Sequence, residues 1–447
     1  MSNPTASDYQ ANIVKGFNTF ESTLNGHSQT KQHQVRKEAM AAFEKNGLPG
    51  AKHEEYKYTQ LAKALQKNIP FSAGYTESTL AADTLHQQLP QGLDAYVLVY
   101  LNGKFLADAS TLPQADDSLL VKDLQEADEL AQQTIADHFG QYADYEHDAF
   151  TALNTAFSLH GAFIQVPKGK APDKPVYLLH VADTNYAQVW NNTRNLIVLG
   201  ENSELSVIEH YVTLGNHESF TNTVSEVVLK KNARLQYHKI ELDAAPAYHV
   251  GNTHIYQEAG SVSTAHTFTL GGQMVRNNLN ITLDDEHCEA NMNGLYLLNG
   301  KQHVDNHTMV DHRLPNSNSN ELYKGVIDGE ATGVFNGKIF VRQHAQKTNA
   351  YQSNRNLLLS DKATINTKPQ LEIWADDVKC SHGATTGQLD EEKLFYLRTR
   401  GLDKKQARAL LLRAFAGEML EHIKLEPLQQ HLAQVIDQKL LNLEAHG

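Results

Sequence analysis

A chain of 447 residues is long enough for one large core or for two to three domains, and its 40% hydrophobic and 20% charged residues are those of a soluble globular protein. The balance of 39 basic against 52 acidic residues leaves a net charge of −13, which argues against non-specific nucleic-acid binding and against docking on an anionic membrane. Two cysteines cannot build a disulfide framework, Met1 to Phe20 lack the apolar stretch of a signal peptide, and no apolar run approaches a membrane span, so a cytoplasmic location is expected.

Residues 1–156 read as a mixed region of helix and strand. The run Ala39 to Asn46 followed by Gly47-Leu48-Pro49 reads as a helix end, with glycine just past it and proline beyond. Tyr96 to Phe105 reads as a buried hairpin turning at Asn102-Gly103. Segment 120–156 reads as helical.

Residues 157–387 read as a repeat of short strands. Segments beginning at Asn195, Ser225, Thr253 and Asn280, and later at Lys324 and Asn356, each show a strand, a short polar corner, a small residue and another strand. The small residues Ser203, Ala233, Ser261, Cys288, Ala331 and Ala363 are spaced by 30, 28, 27, 43 and 32. A period of this size predicts a solenoid, with a β-helix preferred over a β-sandwich. Cys288 falls in a small-residue slot, which assigns it to packing.

Residues 388–447 read as three helices. Asp390-Glu391-Glu392 opens the first at its favoured acidic end and Gly401 ends it; the second spans 404–423, and the third spans 426–444 with Pro427 in its first turn. Such a unit either caps the last coil and hides its open edge or docks a partner.

The chemistry concentrates in Asp376-Asp377-Val378-Lys379-Cys380-Ser381-His382-Gly383-Ala384. On a strand, Cys380 and His382 share one face, and a thiolate beside a neutral imidazole forms half of a site for zinc, iron or an iron–sulfur species. The missing ligands must come from elsewhere in the chain or from a second chain. Other motifs fail. Gly333-Val334-Phe335-Asn336-Gly337-Lys338-Ile339 looks like a phosphate loop, but Thr332 replaces the first glycine and Ile339 stands where Ser or Thr must hold magnesium. His303, His307, Asp311 and His312 match no metal spacing, and surface or packing roles are expected for them.

The run Leu371-Glu372-Ile373-Trp374-Ala375-Asp376-Asp377-Val378-Lys379-Cys380-Ser381-His382-Gly383-Ala384-Thr385-Thr386-Gly387-Gln388-Leu389-Asp390 resembles the signature of the SufB/SufD family of iron–sulfur cluster assembly proteins. Glu321-Leu322-Tyr323-Lys324-Gly325, Val334-Phe335-Asn336-Gly337-Lys338 and Phe150-Thr151-Ala152-Leu153-Asn154-Thr155-Ala156 resemble further blocks of the family. Gly47-Leu48-Pro49 with Tyr56-Lys57-Tyr58-Thr59 is similar to the SufD-type amino terminus, with Tyr56 where tryptophan is expected.

The resemblance implies a right-handed parallel β-helix between helical ends, and a non-catalytic scaffold. Such a chain pairs with a SufB-like paralogue through the β-helices and carries a SufC-like ABC ATPase on its C-terminal helices; alone, it could homodimerise. A transient iron–sulfur cluster shared with the partner is implied, with His382 and then Cys380 as the ligand candidates. Phe395, Arg398, Arg400 and Phe415 are the candidates for ATPase contact. The residues give no signal for or against a flavin. Two other readings stay open on the residues alone: a stand-alone metal-binding β-helix protein and a β-helix carbohydrate-active enzyme.

Overall fold

The computed structural model describes residues 6–24, 30–113 and 117–444. Its centre is a parallel β-helix. From Ala162–Val166 to Lys379–Gly387, successive strands alternate between a ten-stranded and a nine-stranded sheet, so each coil gives one strand to each. Val262–Thr269, for example, pairs in parallel with Arg234–Glu241 on one side and Glu289–Leu298 on the other. Parallel pairing with the strand two places along defines a solenoid and removes the β-sandwich alternative. Tyr96–Leu101 joins the ten-stranded sheet beside Val176–Thr184 and turns back to Lys104–Phe105. Asn102 and Gly103 both take positive φ, 50° and 81°, the conformation a two-residue hairpin of this sequence requires.

The coil corners explain the repeat. At one corner a residue in the left-handed region stands at 202, 232, 260, 287, 316 and 347, a spacing of 30, 28, 27, 29 and 31. The next residue is buried and small: Ser203, Ala233, Ser261, Cys288, Ser317 and Thr348. Ala331 and Ala363 belong instead to the opposite corner, ahead of Thr332–Val341 and Thr364–Ile373 in the other sheet. The 43-residue gap in the sequence pattern is therefore a change of corner. Where the slot holds a hydroxyl, it often bonds the carbonyl three residues back: Ser203 Oγ to Gly200 at 2.7 Å, Ser261 Oγ to Glu258 at 2.6 Å and Thr348 Oγ1 to Ala345 at 2.9 Å. Cys288 Sγ takes the same place, 3.3 Å from the Asp285 carbonyl, and burial raises its thiol pKa. The packing role holds.

Side-chain alternation divides each strand between the lumen and an outer helical layer. In Tyr96–Leu101, Leu98 and Tyr100 face the lumen core, whereas Val97 and Val99 face outward. The helices Lys404–Gly417 and Glu426–Glu444 lay Leu412, Leu428, Leu432, Ile436 and Leu440 against Ile208, Ile240, Phe268 and Leu295 of the ten-stranded sheet. Each fully buried large apolar side chain contributes about 1.5–3 kcal/mol, so this layer is firmly attached. It runs along the outer face of the sheet and leaves the end of the last coil open, so of the two roles the sequence allowed, capping and docking a partner, capping is not what these helices do. The second C-terminal helix also stops at Gly417, short of the expected 423.

The N-terminal helices Ala6–Glu21, Lys31–Asn46, Leu61–Asn68 and Ala149–Phe157 pack Phe17, Phe43, Phe150 and Phe157 against Trp190 and Phe220 on the outer face of the nine-stranded sheet. The segment read as helical from 120 begins as a strand, Leu120–Asp123, antiparallel to Ala162–Val166. Its side chains alternate between half-buried and buried, and Asp123 locks the junction by accepting from the Gly161 N–H at 3.0 Å. Helices follow at Glu129–His138 and Ala149–Phe157, capped by Asp128 and Asp148.

Candidate functional site

Lys379–Gly387 is the outermost strand of the ten-stranded sheet, and Thr364–Ile373 is the outermost strand of the nine-stranded one. Each is paired on one side only. No coil follows, so residues at positions buried in earlier coils meet solvent here. Cys380 registers with Ala350, and His382 with Gln352. Followed back, the Cys380 column runs through Ser319 to Ala290, and the His382 column through Glu321 to Met292. Ala290 and Met292 belong to the lumen core, so Cys380 and His382 both occupy the lumen face at its open end.

Cys380 is half-buried and packs at the rim of a small cluster of Ile339, Val341, Ala345, Ala350 and Ala375. Burial raises its thiol pKa, and a hydrogen bond with the Ala350 backbone opposes the shift. His382 is exposed. A thiol and an imidazole on one face suit a soft metal, but two donors do not close a tetrahedral site. Among the described residues no group of three or more His, Cys, Asp or Glu side chains is placed to hold a metal ion. The pair is an incomplete donor set.

Beneath His382 lies a polar floor that sequence reasoning missed. Gln352 Nε2 donates to Glu321 Oε2 at 2.8 Å, and both side chains are buried. Burial pushes the Glu321 carboxyl up to about 7, and the hydrogen bond from Gln352 only partly offsets this. The facing sheet makes room with Gly337, where a Cβ would fall 2.0 Å from Gln352 Nε2. The false phosphate loop is thus part of the strand Thr332–Val341, and its second glycine serves lumen packing. The available signal was the block Glu321 to Gly325, whose alternation sends Glu321, Tyr323 and Gly325 inward.

The histidine cluster is dispersed among structural contacts. His303 Nε2 meets Thr59 Oγ1 at 2.9 Å. His307 lies between Glu55 Oε2 at 3.2 Å and Asp305 Oδ1 at 2.9 Å. Asp311 pairs with Arg313 and Arg342, and His312 is buried against Ser319.

Phe395 and Arg398 sit on the helix Glu391–Thr399, and Arg400 follows it. Phe395 is 66% exposed beside Tyr396 at 56%, an apolar pair facing solvent, and Arg400 bonds the Tyr396 hydroxyl at 3.1 Å. Phe415 is placed apart from them. The buried Lys324 ammonium lies 4.5 Å from its ring centroid and donates to its carbonyl at 2.9 Å, tying the helix Lys404–Gly417 to the sheet.

Comparison with known families is decisive. The family described as SUF system FeS cluster assembly, SufBD core domain, matches residues 181–415, and the SufBD protein N-terminal region matches residues 7–178. The chain belongs to the SufBD family. It is 34% identical over 397 residues to an iron-sulfur cluster assembly SufBD family protein of Synechocystis sp., with 87% of each chain covered. It is 31% identical over 414 residues to iron-sulfur cluster assembly protein SufD of Escherichia coli, covering 92% of this chain and 94% of that one. SufD of Bacillus subtilis is 29% identical over 294 residues, 65% of this chain and 66% of its own. In SufBD terms, the core match ends at Phe415 and contains both Cys380 and His382. No described helix is long and apolar enough to cross a membrane.

Proposed function

We propose that this chain is the SufD-type scaffold subunit of a cytoplasmic iron–sulfur cluster assembly complex. It pairs with a SufB-like paralogue through the open end of its β-helix and carries a SufC-like ABC ATPase on the C-terminal helices. The observation that carries this reading is the uncapped last coil. Two unpaired edge strands, one bearing the incomplete Cys380–His382 donor set, form a surface that a second β-helix can extend strand on strand. The partner completes the ligand set, and the cluster is cargo passed through the interface.

His382 is the principal ligand candidate and Cys380 the second. Phe395, Arg398 and Arg400 form an exposed aromatic and basic patch suited to the ATPase, and Phe415, half-buried on the next helix and set apart from that patch, is the fourth contact candidate. Hydrolysis takes place in that partner, and the present chain transmits the resulting movement to the interface without catalysing a step itself. Without partners, the same end supports a homodimer.

The test is anaerobic affinity purification of the tagged chain from its own host. Recovery of an ABC-type ATPase and a SufB-like chain is expected. His382→Ala is expected to leave that recovery intact while the purified complex loses most of its bound iron and acid-labile sulfide. Recovery of the chain alone at every salt concentration would overturn the reading.

A further inference from the structure

The lumen floor beneath His382 contains a buried acceptor with no partner. Gln352 Nε2 is committed to Glu321 Oε2 at 2.8 Å, which directs the two ends of the amide differently. Its Oε1 is buried and accepts no hydrogen bond within the chain. Such an acceptor is costly in a protein interior unless something donates to it. Gly337 across the lumen offers only backbone at this point, and the amide fills the space that a Cβ would take. The neighbour in the next position of the column is His382, in direct register with Gln352 and one strand spacing away, about 4.8 Å. An imidazole N–H is the donor that this geometry offers to Oε1.

We propose that Gln352 is a positioning residue for His382: when the exposed imidazole turns onto the floor, its ring N–H reaches the open Oε1 acceptor and one tautomer is fixed, while Glu321 holds the Gln352 amide in the required orientation. At pH 8, where Glu321 is mostly ionised, an amide flip would turn Oε1 toward its carboxylate, and two acceptors repel. With one ring nitrogen engaged by the floor, the other presents its lone pair away from it, toward the open end. Fixing the tautomer through a hydrogen bond to the far ring nitrogen is how ligand histidines are commonly prepared for a soft metal. The tautomer assignment concerns this chain alone; its relevance to cluster assembly rests on the function proposed above.

Nitrogen-15 spectra of the histidine-labelled full chain at pH 8 test it, with the His382 signals assigned by their loss in His382→Ala. One tautomer is expected in the native chain. Gln352→Leu should convert it to a mixture, and Glu321→Leu should do the same by freeing the amide. Glu321→Gln, which keeps an acceptor for Gln352 Nε2, should preserve the single tautomer. Leucine at 352 continues a column that is already apolar at Ala265 and Met292, so the fold should survive; if it does not, the Glu321 pair decides. A tautomer mixture in the native chain, or a single tautomer unchanged by both leucine variants, would overturn the proposal. Because the spectra need no partner, they separate this inference from the scaffold reading: a fixed tautomer without recovered partners refutes only the latter.

Discussion

Glu321 shows how much one buried carboxyl can weigh. Its pKa stands at about 7 in the fold, against the ordinary value of 4.5 in the unfolded chain. Between those values the native state holds a proton that the unfolded state has released, so stability falls as pH rises from 4.5 to 7. The full difference corresponds to about 3 kcal/mol. Glu321→Gln removes the titration and keeps an acceptor for Gln352. It is expected to stabilise the chain by up to about 3 kcal/mol at pH 8 and by little at pH 4. Urea unfolding at the two pH values checks this, and an equal effect at both would show that desolvation of the carboxylate is not the cause. Alternation within Glu321 to Gly325 marks Glu321 as inward-facing, but its full burial comes from the coils stacked on either side of it, which no local pattern reveals.

At the scale of elements, the left-handed corners are where sequence and fold are most tightly joined. Gly329 has φ of +65°, and a Cβ there would lie 2.9 Å from the Gly300 backbone nitrogen of the preceding coil. Gly329→Ala therefore combines left-handed strain with a backbone collision, and an unfolding free-energy loss of about 1–3 kcal/mol is expected by denaturant titration. An alanine tolerated without loss would mean that the coils are less closely stacked at this corner. These corners also mark what was legible. Asn-Gly announced the hairpin, Gly47 the helix end, and the small corner residues the solenoid, because each answers a local backbone demand. The strand Leu120–Asp123 was not legible, since four residues carry too little periodicity and its pairing with Ala162–Val166 is remote in sequence. The shared face of Cys380 and His382 followed from alternation alone. The exposure of their strand did not, because it depends on where the C-terminal helices lie.

For the molecule as a whole, the placement of histidine sets an acid limit. His180, His238 and His312 are buried, and desolvation lowers each to about 4, while His210 falls to about 3. In this group the fold excludes a proton that the unfolded chain accepts, so stability is complete above the unfolded value of 6.5 and is lost as pH falls toward 4. Each site accounts for up to about 3–5 kcal/mol, and a few together match the total stability of an ordinary domain, about 5–15 kcal/mol. The ion-paired carboxylates respond later, since Glu55 stands at about 2 and Asp305 lower still, and their contributions decline only below the ordinary carboxylate range. Histidine should therefore dominate the first acid transition. His210, His238 and His266 lie on the outer face of the ten-stranded sheet; His210 faces His431 of the last helix at 6.4 Å between ring centroids, and His238 stacks on His266 at 4.9 Å. Protonation there places like charges together under an apolar layer, so the C-terminal helices should loosen before the β-helix does. A circular-dichroism titration from pH 7.5 to 3.5 should show helical signal falling ahead of strand signal. His238→Gln, which removes one proton-accepting ring from the stack, should move that first transition to lower pH. Loss of both signals together, at a midpoint unaffected by His238→Gln, would place the acid-sensitive contacts inside the lumen instead.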